Sequence, residues 1–367
     1  MTGAAHRMKI SLSSVNLSAL EMAYAKDAID TGWISGTGAY ITRFESALAQ
    51  KLGRKHVIAV ANGTLALELA LLAKGIGPGD EVIVPALTFV APAAAVRSVG
   101  AKPVFADITS ESWTVDPNEV GRVISDKTKA VIAVDVLGHP CEFEALLQFG
   151  LPIIEDAAEA HGALYGGKPV GSFGEVSTFS FHANKTITTG EGGCVATDDN
   201  SLAKTMRLIS NHGMTSDLPY WHPVVGHNFR MTNVTAAIGL GQVERWDEMV
   251  AARNQVARVY DELLGQSIVQ RRPVASWATE ACWLYTVTTA DREAVLAFLR
   301  ERGIDARAIW TALPDLPLYA DSLRGDYRVA KRVATTAFWL PTWAHMPMNA
   351  ISSVTDALME FRQMNSI

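Results

Sequence analysis

A lysine placed just past a buried strand is a candidate nucleophile and general base, and Lys185 stands in that position. Residues 177–181, Ser-Thr-Phe-Ser-Phe, read as a strand, and the turn that follows carries Thr186, Thr188 and Thr189 with Gly190, Gly192 and Gly193. Burial and nearby cations make an amine a better nucleophile at neutral pH. A turn rich in hydroxyls and glycine suits an amine held beside a phosphate-bearing ring, although a lysine in a loop, read alone, is a solvated surface residue. Asp156 follows the apolar run 151–154 and opens the stretch Asp156-Ala157-Ala158-Glu159-Ala160-His161-Gly162. A carboxylate leaving the interior needs a partner, because an unpaired buried charge is costly. Two readings stand: a cap for the next short helix, which these residues alone favour, or the anionic partner of a buried cation such as a protonated pyridine nitrogen. Asn62-Gly63-Thr64 makes a third group. Gly63 permits close backbone approach, Thr64 can cap the helix that follows, and the free amides there face any anion. Taken alone it is equally a turn and a cap.

These groups need a frame, and in parallel α/β sheets ligands sit beyond the carboxyl ends of the strands. Short runs rich in Val and Ile at 56–61, 81–84, 103–106, 130–134, 152–155 and 177–181 alternate with helical stretches such as 64–73 and 117–124. Runs apolar on both faces with helices between them predict a mainly parallel sheet covered on both sides. Amphipathic helices are expected at 17–31 and 41–52, closed by Gly32 and Gly53. The pattern changes near Arg245. A long helix over 247–264, a strand over 283–288, a helix over 292–302, an irregular segment around 310–319 and a last helix over 351–364 predict a small α+β unit. The expected division is a large domain with an N-terminal arm over 1–245 and a small C-terminal domain over 246–367.

Composition removes several classes. A formal charge of −6 offers no basic patch for nucleic acid. The longest apolar stretch, 84–96, is broken by Pro85, Thr88 and Pro92 and is too short to span a bilayer, and Met1 to Arg7 lack the apolar core of a signal peptide. Cys141, Cys194 and Cys282 are widely spaced with no CxxC pair, which fits a reducing compartment; a soluble, cytoplasmic protein is expected. His182, His212, His222 and His227 form no HxxxH set, so no metal site is expected. Trp310 and Trp339 read as core or as the lining of a sugar pocket, Met346 and Met348 as packing, and Arg230 as a substrate contact or an interface ion pair.

Taken together and in order, Asn62-Gly63-Thr64, Pro85-Ala86-Leu87-Thr88-Phe89, Glu155 to Gly162, Ser180 to Gly193, Trp33-Ile34-Ser35 and Asn228-Phe229-Arg230-Met231-Thr232-Asn233 resemble the DegT/StrS-type sugar aminotransferases. The resemblance implies an aspartate-aminotransferase-type α/β fold (fold type I), pyridoxal 5'-phosphate as cofactor with its pyridoxamine form between half-reactions, and a homodimer with shared active sites. Lys185 would carry the cofactor as a Schiff base and move the proton, and Asp156 would pair with the ring nitrogen. Phe89 would stack on the ring. Gly63, Thr64 and Ser180 would bind the phosphate, with Asn228 reaching it from the neighbouring subunit. Glu159 matches a position near the ring hydroxyl that is often Gln in the family. Trp33-Ile34-Ser35, residues 184–193 and residues 220–226 resemble the branch that moves an amino group from glutamate to carbon 4 of GDP-4-keto-6-deoxymannose, against which dTDP-, UDP- and 3-keto sugars are the alternatives. The C-terminal segment departs from the pattern: Pro314 stands where a histidine is expected, and proline neither titrates nor donates from its backbone. Dehydratases of the same fold use histidine in place of the lysine, so Lys185 favours amino transfer. A non-catalytic regulatory relative is disfavoured by the complete set of Lys185, Asp156 and Ser180.

Overall fold

The computed structural model describes residues 10–215, 217–265 and 268–364; Met1 to Arg7 lie outside them. Seven strands form one sheet in the order His56–Val60, Gly193–Thr197, Val176–Ser180, Ile153–Asp156, Thr128–Val134, Glu81–Pro85 and Lys102–Ala106. The runs of Val, Ile and Ala produce this sheet because both of its faces are covered. Leu67, Leu69, Ala93 and Met206 pack on one side, and Phe44, Leu48, Ala237 and Leu240 on the other.

Only Gly193–Thr197 runs against its neighbours, pairing antiparallel with both His56–Val60 and Val176–Ser180. The residues from Gly190 onward therefore do not simply end a glycine-rich turn, as expected; Gly193 opens a strand. The consequence is local. Val60 and Ser180 both oppose Gly193, so three chain segments meet at one sheet edge.

Local chemistry sets the helix ends. Ser18 and Glu21 form a reciprocal capping box at the start of Ala19–Asp30. Gly53 (φ 66°) closes Ala39–Leu52 in the left-handed region. The helix Gly63–Ala73 is capped by Asn62, whose Oδ1 accepts from the Leu65 amide at 2.9 Å. This corrects the expectation for Thr64, which lies inside the first turn and leaves its hydroxyl for other work.

Beyond the helix Trp246–Leu264, an antiparallel sheet of Gln270–Arg271, Tyr285–Thr288, Ala337–Leu340 and Arg307–Ala308 packs against Trp246–Leu264, Arg292–Glu301 and Met348–Met364 through Tyr260, Val287, Leu299 and Leu358. Backbone pairing is among the contacts that tie this unit to the rest of the described chain. Ile10 bridges Ile304, and Ala278–Thr279 pairs with Leu164–Tyr165. The N-terminal arm thus reaches the C-terminal unit at Ile304. Cys141, Cys194 and Cys282 are buried and unpaired. Among the described residues, no helix is long and apolar enough to cross a membrane, and no group of three or more His, Cys, Asp or Glu is placed to hold a metal ion.

Candidate active site

Asp156 is the last residue of Ile153–Asp156 and is 5% exposed. Its Oδ1 accepts from the Ala158 amide at 3.1 Å and the Thr178 hydroxyl at 3.3 Å; among the described residues no donor reaches Oδ2. No helix follows Asp156 for it to cap, because residues 158–159 form a turn; Oδ1 ties that turn, and Oδ2 has no protein donor among the described residues. Burial lifts the carboxyl to about 6, helped by the charge of Glu159, and the Ala158 amide and Lys185 pull the other way. The preceding residue serves the opposite face. Glu155 is buried and accepts from the amides of Gly171, Phe173 (2.9 Å) and Gly174 (2.9 Å), fixing the 171–174 loop.

Lys185 follows Val176–Ser180 in a turn closed by its own amide bonding to the His182 carbonyl at 2.9 Å. Its side chain is 11% exposed, and Nζ donates to Glu159 Oε1 at 3.3 Å. Glu159 Oε2 accepts from the Leu137 amide at 2.8 Å, and burial raises this carboxyl despite the lysine beside it. Glu159 therefore links the lysine to the loop after Thr128–Val134. His161, in the same motif, is fully buried against Phe179, Phe181 and Trp246, and burial lowers it to about 3. A neutral imidazole packed among rings is structural, not a proton carrier.

Two residues absent from the expected set hold the lysine. Lys185 Nζ lies 3.9 Å from the centroid of the Trp283 indole, whose Nε1 donates to the Asn184 carbonyl at 2.9 Å. Arg253, 2% exposed on the Trp246–Leu264 helix, donates to the carbonyls of Asn184 and Lys185 at 3.1 Å each and to that of Trp283. Burial lowers Arg253 to about 10. Its partners are carbonyl oxygens, so it fixes backbone rather than balancing an acid. The signal available in the sequence was a single arginine on the face of the long helix that also carries Met249, Val256 and Tyr260.

The third group sits where Val60, Ser180 and Gly193 meet. A Cβ on Gly63 would come within 2.8 Å of the Ser180 Cβ, and one on Gly193 within 2.5 Å of the Asn62 carbonyl carbon. Only glycine allows this approach. The amides of Gly63 and Thr64, in the first turn of an eleven-residue helix, have no acceptor among the described residues. Free amides at a helix start beside the Thr64 and Ser180 hydroxyls suit a phosphate. An unpaired buried carboxylate oxygen, an amine and a corner of free amides and hydroxyls have the chemistry that the three ends of pyridoxal phosphate require: ring nitrogen, aldehyde carbon and phosphate.

Other expected residues stand farther out. Phe89 follows Glu81–Pro85 at the same sheet edge and is 52% exposed, with no ring partner among the described residues. Asn228 and Arg230 lie beside the first strand, where Arg230 bridges Val60. Asn228 Oδ1 accepts from Arg230 Nε at 3.0 Å, and among the described residues no hydrogen bond joins Asn228 to Lys185, Asp156 or Ser180. Pro314 is buried in the turn Leu313–Asp315, tethered by the Leu313 amide bonding to the Ala86 carbonyl at 2.9 Å. Trp339 is buried with Trp283 and Trp310 as neighbours, which places it in the core.

Residues 16–359 match the DegT/DnrJ/EryC1/StrS aminotransferase family, and the chain belongs to it. It is a pyridoxal-phosphate-dependent aminotransferase of fold type I. The GDP-perosamine synthase of Caulobacter vibrioides is 42% identical over 361 residues, 95% of this chain and 97% of that protein. The UDP-2-acetamido-2-deoxy-3-oxo-D-glucuronate aminotransferase of Pseudomonas aeruginosa is 35% identical over 357 residues, 92% and 97% of the two chains. Spr1654 of Streptococcus pneumoniae, solved in its PLP form, superposes with a TM-score of 0.91 at 26% identity, covering 97% of this chain and 99% of that one.

Proposed function

We propose that the protein transfers an amino group from glutamate to carbon 4 of GDP-4-keto-6-deoxymannose, giving GDP-perosamine. The observation that carries the reading is the convergence of Lys185, Asp156 and the Gly63/Ser180 corner on one edge of the sheet. When bound, pyridoxal phosphate supplies a sink for the electron pair left as a proton departs. The chain's residues supply the rest. Lys185 Nζ would take the proton from the donor's carbon and deliver it to the cofactor's aldehyde carbon, a role that needs an amine held in place but free of solvent. The open oxygen of Asp156 keeps the ring nitrogen protonated. Thr64, Ser180 and the Gly63 and Thr64 amides anchor the phosphate, so the ring cannot swing during proton movement. Phe89 covers one ring face, and Glu159 holds the amine from the side.

The substrate assignment is supported by the 42% identity to the Caulobacter enzyme and by the likeness of Trp33-Ile34-Ser35 and residues 184–193 to that branch. A second reading, another nucleotide-linked keto-sugar, draws on Pro314 in place of the expected histidine and on the Pseudomonas relative. A homodimer is part of the proposal. Tyr220 and Val225 are each 87% exposed and lie in the same loop as Trp221, and a second copy would cover them and bring Asn228 to the partner's phosphate. The division at residue 245 gives this arrangement its two parts: a cofactor-bearing portion and a smaller one that closes over Lys185 with Trp283. The test is amino-product formation, followed by mass spectrometry, from a panel of GDP-, dTDP- and UDP-linked keto-sugars with glutamate. Product from the GDP-linked 4-keto-6-deoxymannose above all others is expected. A preference for a UDP- or dTDP-linked sugar would overturn the substrate assignment alone.

A further inference from the structure

An amine that alternates between bonded and free states has to be held in both. Lys185 Nζ has three hydrogens when protonated, and its surroundings are dry, with the side chain 11% exposed. Glu159 Oε1 at 3.3 Å receives one donor. The other close partner is the Trp283 face, 3.9 Å from Nζ to the ring centroid. A cation over indole is attracted by the ring's quadrupole, and more strongly when water is excluded. The ring is itself packed: Trp283 is 3% exposed, Trp310 stacks on it at 6.2 Å and 15°, and Trp339 meets it edge-on at 5.8 Å.

The lysine and the indole are also registered to one another. Trp283 Nε1 bonds to the Asn184 carbonyl, and Arg253 spans the carbonyls of Asn184, Lys185 and Trp283. These contacts fix the backbone on both sides of the Nζ-to-ring contact, so the amine returns to one place each time it is released.

We propose that Trp283 is a positioning residue for amino transfer, its indole face and Glu159 forming the cradle that holds the Lys185 amine while it is free, with Arg253 keeping cradle and lysine in register. This rests on Lys185 being the cofactor-bearing lysine. Trp283→Phe keeps an aromatic face and Trp283→Leu keeps only apolar bulk; both lose the Nε1 bond to Asn184, so their difference isolates the face. In the full chain freed of cofactor, trinitrobenzenesulfonate labelling of Lys185, mapped by peptide mass, should proceed in Trp283→Phe within about twofold of the unsubstituted rate. In Trp283→Leu it should be about tenfold faster. Trp310→Leu, which removes a ring stacked behind the indole but leaves the indole face itself in place, should accelerate labelling by no more than about twofold. In the loaded enzyme, kcat of Trp283→Leu should fall about tenfold below that of Trp283→Phe, with KM for glutamate within about twofold. Equal labelling in the Phe and Leu variants, or equal acceleration by Trp310→Leu, would overturn the proposal. Should Trp283→Leu not fold, Trp283→Met makes the same comparison. If the unsubstituted enzyme aminates no sugar, the functional reading falls, while the labelling contrast still decides the role of Trp283.

Discussion

At Asp156 the competition is between desolvation, which favours the neutral acid, and a cation, which favours the carboxylate. The folded pKa of about 6 lies above the usual 3.8. The folded, cofactor-free protein therefore holds this proton more tightly than the unfolded chain does. The associated stability is fully present below about pH 4 and is lost as pH rises through about 6. Cofactor binding calls for the opposite state, so affinity should fall as pH drops through about 6. Asp156→Asn should flatten both dependences, raising the melting temperature of the cofactor-free protein at neutral pH while cutting turnover far more than substrate affinity. Thermal melts across pH, with and without cofactor, check this; an unchanged pH dependence of affinity in the variant would remove Asp156 from its role. Asp135, fully buried with its Oδ2 unpaired, is also raised by burial, so the same sign applies. Asp135→Asn should stabilise the protein at neutral pH and lose that advantage as pH falls, measured by denaturant unfolding.

Elements decide which of these residues meet. The sheet was legible because each strand is buried on both faces, and so appears as an unbroken apolar run; the observed bounds differ from the expected ones by two residues or fewer. Gly193–Thr197 escaped because its five residues follow a glycine-rich turn and carry no strand signal before Cys194-Val195-Ala196. That strand matters, since it brings Val60 and Ser180 together and so builds the corner proposed to hold the phosphate. Lys185, Asp156 and Gly63 were legible because each ends or follows a strand. Trp283 and Arg253 were not, because their bonds to the lysine turn span 99 and 68 residues of sequence and exist only after the two sheets pack. The corner supports a prediction of its own. Gly63→Ala places a methyl 2.8 Å from the Ser180 Cβ and should weaken cofactor affinity by about tenfold, the cost of modest overpacking, while the chain still folds. Cofactor titration followed by absorbance measures it; unchanged affinity would mean the phosphate lies elsewhere.

For the whole molecule, the question is whether one chain makes a complete site. Asn228 and Arg230 lie at the outer edge beside the first strand, and the loop before them exposes Tyr220, Trp221 and Val225. If Asn228 serves the partner's phosphate, mixing inactive Lys185→Ala with a weakened Asn228→Asp variant, under conditions that exchange subunits, should restore activity. Hybrid dimers place both substitutions in one site and leave the other intact, giving roughly a quarter of full activity. No recovery on mixing, with exchange verified by mass, would put Asn228 in its own chain's site or in none. The claim on which all of this depends is that Lys185 bears the cofactor. Borohydride reduction of the protein loaded with pyridoxal phosphate, followed by peptide mass mapping, tests it most directly. The account predicts a phosphopyridoxyl group on the peptide containing Lys185, absent from Lys185→Ala. An adduct on another lysine, or none in a protein that still transfers amino groups, would contradict it.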